Sequence, residues 1–152
     1  MVVRAKYVHT NIVACDWRRL AEFYVEVFGC EPLLPERDYS GSWLNDVTAL
    51  SGEITVRGIH LRLPGFDEHG PTLEIFEYNR QPDRPPVSVN QPGFAHIAFH
   101  VDDVERARDE VLNAGGKDLG NLHRMDVKGA GTISLIYMTD PEGNVVELQN
   151  WS

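Results

Sequence analysis

Residues 7–14 alternate as a strand would, with Tyr7, His9, Asn11 and Val13 on one face and Val8, Thr10, Ile12 and Ala14 on the other. Asp16 follows as a helix N-cap, Leu20, Phe23, Tyr24, Val27 and Phe28 recur at helical spacing, and Gly29 supplies the stop. The same order returns over 94–101, where His96, Ala98 and His100 share a face, followed by Asp103 as cap and a helix through Val104, Ala107, Val111 and Leu112 to Gly115 and Gly116. When His9 is set on His96 without a gap, Asp16 meets Asp103, Arg19 meets Arg106 and Gly29 meets Gly116. The chain therefore reads as two copies of one unit, which restricts the fold to paired modules that each bury one helix against one sheet.

Each copy continues in strands. The first is expected over 31–37, 54–63 and 72–78, with a short helical excursion over 40–51 that carries Trp43, Leu44 and Val47. The second is expected over 117–125, 132–139 and 144–150. Residues 81–92 hold Pro82, Pro85, Pro86 and Pro92 among polar residues, a stiff stretch in which neither helix nor central strand persists. One domain is expected, with module one at 5–80, a linker at 81–92 and module two at 93–152.

The formal net charge is -9, from 23 acidic and 14 basic side chains, so the average surface repels phosphate backbones and anionic membranes. Nucleic-acid and membrane partners are not expected; a small-molecule substrate is. Met1 runs into Val2, Val3, Arg4 and Lys6 without the apolar core of a signal peptide, and no apolar run reaches the length of a membrane span. The expected compartment is the cytoplasm. Cys15 and Cys30 form no CxxC pair and read as small buried hydrophobes.

Each copy offers a histidine on its first strand and a glutamate on its last: His9 with Glu74 in TLEIFEYN, and His96 with Glu147 in NVVELQNW. Both glutamates have apolar neighbours, which places the carboxylates on the opposite face of their strands. Two imidazoles and two carboxylates suit one divalent metal of borderline hardness, whether zinc, nickel, cobalt, manganese or iron(II). Coordination numbers of five or six would leave positions for substrate oxygens, which favours catalysis over a closed structural site.

The segments VHTNIVACDWRRLAEFYVEVFG, TLEIFEYN, GFAHIAFHVDDVERARDEVLNAGG and DPEGNVVELQNW together resemble the vicinal oxygen chelate superfamily, which includes glyoxalase I, methylmalonyl-CoA epimerase, extradiol dioxygenases and fosfomycin resistance proteins. The resemblance implies an α+β fold of two tandem βαβββ modules whose curled, mixed sheet forms a metal-holding cup. It places His9, Glu74, His96 and Glu147 at the metal positions of the glyoxalase I branch, where a ligand carboxylate also acts as base. Glu147 is the first candidate for that role and Glu74 the second. The implied activity is that of a lyase or isomerase of the lactoylglutathione lyase or methylmalonyl-CoA epimerase type, working by enolisation. Residues 127–132 resemble the loop that helps hold an anionic substrate in glyoxalase I.

Alternatives are an iron(II) extradiol dioxygenase using His9, His96 and Glu147, and a protein that binds an antibiotic or other small molecule. Arg62 and Lys128 are candidate contacts for a substrate anion, and Trp43 and Phe76 candidate pocket walls, against the ordinary outcomes of solvated charge and core packing. His60, His69 and His123 fall outside the repeat alignment and read as surface residues. Apolar residues such as Trp43 and Trp151 suggest a homodimer, with the cup formed within one chain or by exchange of modules.

Overall fold

The computed structural model describes residues 2–152. The chain divides into two compact units, with the boundary between Asp83 and Arg84. Among the described residues, three helices and nine strands in two mixed sheets make an α+β architecture without a closed barrel.

The first unit runs β1 (His9–Val13), α1 (Trp17–Phe28), β2 (Glu31–Ser40), α2 (Ser42–Thr48), β3 (Thr55–Arg62) and β4 (Thr72–Tyr78). Its sheet has the order β1-β4-β3-β2; β1 lies parallel to β4 and the other pairs are antiparallel. Asp16 caps α1 by accepting from Arg19 N–H at 3.1 Å. At the other end Gly29 takes the left-handed conformation (φ 68°), so that its N–H reaches Val25 O and the Cys30 N–H reaches Tyr24 O. The apolar side of α1, with Leu20, Phe23 and Tyr24, is buried together with Ile59 and Leu61 of β3 and Leu73 and Ile75 of β4. Each such side chain contributes roughly 1.5–3 kcal/mol through burial. Because strand side chains alternate, burying Leu61, Leu73 and Ile75 turns His60, Glu74 and Phe76 to the other face.

The helical excursion is present as α2. Its Leu44 is buried with Ile54 and Val56, against which Tyr39, Phe76 and Tyr78 pack. Pro32 and Pro35 cannot donate to the β2–β3 ladder, and its register shifts between Leu33 and Arg37.

The second unit runs β5 (Ile97–His100), α3 (Val104–Asn113), β6 (Lys117–Asp118), β7 (His123–Val127), β8 (Gly131–Thr139) and β9 (Val145–Trp151). The order is β5-β9-β8-β6, with β7 also paired to β8, and β5 is parallel to β9 as β1 is to β4. Asp103 caps α3 through Arg106 N–H at 3.0 Å. Val104, Val111, Ile136, Met138, Val146 and Leu148 are buried in its core. The single strand expected over 117–125 is instead two, because Leu119 N–H and Gly120 N–H both turn to Tyr137 O and end the first ladder. No helix among the described residues is long and apolar enough to cross a membrane.

The repeat extends to a feature that sequence reading overlooked. Glu77 lies on the face of β4 opposite Glu74, and its carboxylate accepts from Trp17 N–H at 3.2 Å and ties β4 to the start of α1. Asn150, at the equivalent distance beyond Glu147, donates to Val101 O at 2.7 Å and ties β9 to the turn before α3.

Candidate metal centre

In the first unit the parallel register sets Asn11 opposite Glu74, and His9 two residues earlier faces the same way. His9 Nε2 is 3.6 Å from Glu74 Oε2, and Asn11 Nδ2 donates to that oxygen at 2.9 Å. The other carboxylate oxygen, Oε1, is 3.0 Å from His60 Nε2, because His60 and Glu74 are cross-strand partners in β3 and β4. His60 is therefore no surface histidine. It is half-buried, its Nδ1 is 3.2 Å from Thr72 Oγ1, and its pKa is lowered chiefly by burial, with Glu74 opposing and the positive charges of Arg37 and His9 assisting. The neutral ring donates from Nε2 to Glu74 and accepts at Nδ1 from the Thr72 hydroxyl, a bonding pattern that fixes the tautomer.

Donor atoms of His9, His60 and Glu74 all lie within 4.8 Å of one another. Imidazole nitrogens and a carboxylate oxygen at this separation fit a divalent ion, since drawing them to bonding distance requires only side-chain adjustment.

The second unit repeats the arrangement with different chemistry. His96, just before β5, places Nε2 3.0 Å from Glu147 Oε2. Tyr137 takes the place of His60: it is the cross-strand partner of Glu147, and its ring lies 5.1 Å from the His96 ring. Burial, with the neighbouring Glu147 charge, raises the Tyr137 pKa above its ordinary value, so the phenol stays protonated. Ala98 stands where the first unit has Asn11, opposite Glu147. Glu147 is thus buried, 8% exposed, with fewer polar neighbours than Glu74.

The structure thus brings His9 to Glu74 and His96 to Glu147. It adds His60 and Tyr137, which could have been found by counting back across each hairpin from the glutamate. Phe76 shares the Glu74 face and meets His60 edge-on at 6.0 Å. Trp43 stands apart from the carboxylate, half-exposed on α2, donating to Ser40 O and packing on Tyr39. Arg62 follows His60 on the same face, but Glu31 engages its Nη2 at 3.1 Å and its buried Nε has no partner. Lys128 is exposed in the turn between β7 and β8. Cys30 is buried as expected, whereas Cys15 is exposed.

The chain matches the model of the Glyoxalase/Bleomycin resistance protein/Dioxygenase superfamily over residues 6–148, and it belongs to that superfamily. A protein of a Synechocystis species named "Probable lactoylglutathione lyase" is 27% identical over 140 residues, covering 92% of this chain and 91% of its own. Among solved structures, a glyoxalase family protein from Bacillus cereus aligns with a TM-score of 0.73 at 19% identity, over 99% of this chain and 95% of that one. Another from Enterococcus faecalis aligns with a TM-score of 0.57 at 24% identity, over 96% of each chain. These structural likenesses speak for the fold. Metal binding is typical of the superfamily, and the His9–His60–Glu74 cluster gathers donor atoms that could hold an ion.

Proposed function

We propose that the protein is a divalent-metal-dependent lyase or isomerase, of the lactoylglutathione lyase or methylmalonyl-CoA epimerase type, that moves a proton at the carbon beside a carbonyl or thioester. The observation that carries this reading is the buried Glu147 carboxylate, 3.0 Å from His96 and cross-strand from Tyr137. The superfamily and the 27% identical relative support a glyoxalase-like function.

In this reading His9, Glu74, His96 and Glu147 hold one ion of zinc, nickel, cobalt, manganese or iron(II). When bound, the ion supplies positive charge that lowers the cost of negative charge developing on the substrate's oxygens. The two glutamates divide the remaining work. Glu74 has both oxygens engaged, by His60 on one side and Asn11 on the other, which suits holding rather than proton transfer. Glu147 accepts the proton from carbon as the C–H electron pair moves toward the carbonyl, then returns it to the neighbouring carbon.

The test is turnover of a glutathione hemithioacetal and of a coenzyme A thioester in heavy water without oxygen. Deuterium at the carbon beside the carbonyl is expected, and Glu147→Gln should lower kcat by roughly 10²-fold or more with little change in KM. Alanine at His9, His96 or Glu147 should remove most of the bound metal, and unchanged occupancy in all three variants would overturn the ligand assignment.

One observation favours a second reading. Two imidazoles and one carboxylate, as in His9, His60 and Glu74, form the donor set of non-haem iron(II) oxygenases once the His60 tautomer is exchanged. Turnover that appears only with iron(II) and oxygen would establish that chemistry instead.

A further inference from the structure

Lys6, Leu33, Arg37, His60, His69 and Thr72 are among the residues that line an open pocket of about 270 Å³ in the first unit. In a chain of net charge -9 this lining carries two permanent cations and two imidazoles, and no carboxylate. The other arginines near the sheet are neutralised: Arg62 by Glu31 at 3.1 Å and Arg57 by Asp38 at 3.4 Å. Arg37 is different. It is half-buried, its guanidinium turns only to Pro35 O, and among the described residues no carboxylate pairs with it. Lys6 likewise has only a carbonyl partner, His69 O at 3.0 Å, a contact that leaves its charge uncompensated and ties the chain before β1 to the loop before β4. Lys6 is exposed and Arg37 half-buried, so the cost of holding two unpaired cations at one pocket is chiefly their mutual repulsion, which an anion there relieves.

We propose that this pocket is an oxyanion subsite, in which Arg37 and Lys6 bind a carboxylate or phosphate group of the substrate. A guanidinium offers paired N–H donors that match the oxygens of either group. His60 has one edge on Glu74 and also lines the pocket, so the anion lies about one imidazole ring from the Glu74 carboxylate. The substrate class is then a small carbonyl or thioester compound bearing an anionic group a few bonds away. The existence of the subsite needs no metal; only the step to the substrate class rests on the function proposed above.

The experiment titrates metal-stripped protein with inorganic phosphate and, separately, with malonate at constant ionic strength. Binding is followed by calorimetry and by the imidazole NMR signals of His60 and His69. Saturable binding of at least one anion is expected, with chloride inert, and both Arg37→Met and Lys6→Met should weaken it by roughly tenfold. Arg57→Met, whose parent side chain is paired with Asp38, should leave it unchanged. Phosphate alone binding identifies a phosphorylated substrate, and malonate alone a carboxylate. No saturable binding, or equal binding in the Arg37, Lys6 and Arg57 variants, overturns the subsite. Because metal is absent throughout, failure of the enolisation reading would leave this result standing, and the converse also holds.

Discussion

Gly58→Ala tests the link between sheet packing and the site. Gly58 on β3 is the cross-strand partner of Phe76, two residues before His60. A Cβ built there would lie 2.0 Å from Ile75 O and 2.5 Å from Phe76 Cδ1. The first contact is with backbone in a buried sheet, so a side-chain rotation cannot relieve it, and β3 must move away from β4. Overpacking of this kind costs about 1–3 kcal/mol, and the severity of the backbone contact puts the expectation near the top of that range. With roughly 2–4 °C of Tm per kcal/mol for a chain of this size, melting followed by circular dichroism should fall by about 6–12 °C. The same change at Gly120, where a Cβ meets nothing within 4 Å, should shift Tm by no more than about 2 °C. Equal melting temperatures for Gly58→Ala and the parent protein would refute the claim that no Cβ fits between β3 and β4 at this position.

Two further outcomes follow from burial and from apolar exposure. Burial pushes the Cys30 thiol up to about 11 from an ordinary 9.0, so at pH 8 a disulfide reagent should modify one thiol quickly and the second only on unfolding, with Cys15→Ser removing the fast phase. Two fast thiols in the native protein would contradict the burial. The raised value means that folding favours the protonated thiol: its contribution is complete below about pH 9 and is lost as pH climbs toward 11, a loss that Cys30→Ala should abolish. Half-exposed Trp43 and Trp151 favour self-association, and sedimentation at micromolar concentration should give twice 17.1 kDa; a single species at 17.1 kDa would refute the dimer.

Much of this chain is legible because its strongest signals are local. A cap is satisfied within three residues, as at Asp16 and Asp103, and strand alternation fixes which side chains share a face, so the repeat and the face of each glutamate can be read along the sequence. The pairings His9 with Glu74 and His96 with Glu147 follow from that repeat together with a parallel register. His60 and Tyr137 were hidden for a different reason. Each reaches its glutamate across a hairpin, and the two hairpins differ in length, with 63–71 joining β3 to β4 and 140–144 joining β8 to β9, so a gapless alignment of the copies sets neither on the other. Charge partners are likewise nonlocal. The sequence offers Arg37, Arg57 and Arg62 as equivalent cations, and only the β2–β3 register gives carboxylates to two of them and leaves the third against the pocket. Sequence by itself determined the modules and the donor pairs, because periodicity and capping act over a few residues. Tertiary structure decided what surrounds those donors, because cross-strand neighbours depend on turn length and register, which no local pattern encodes.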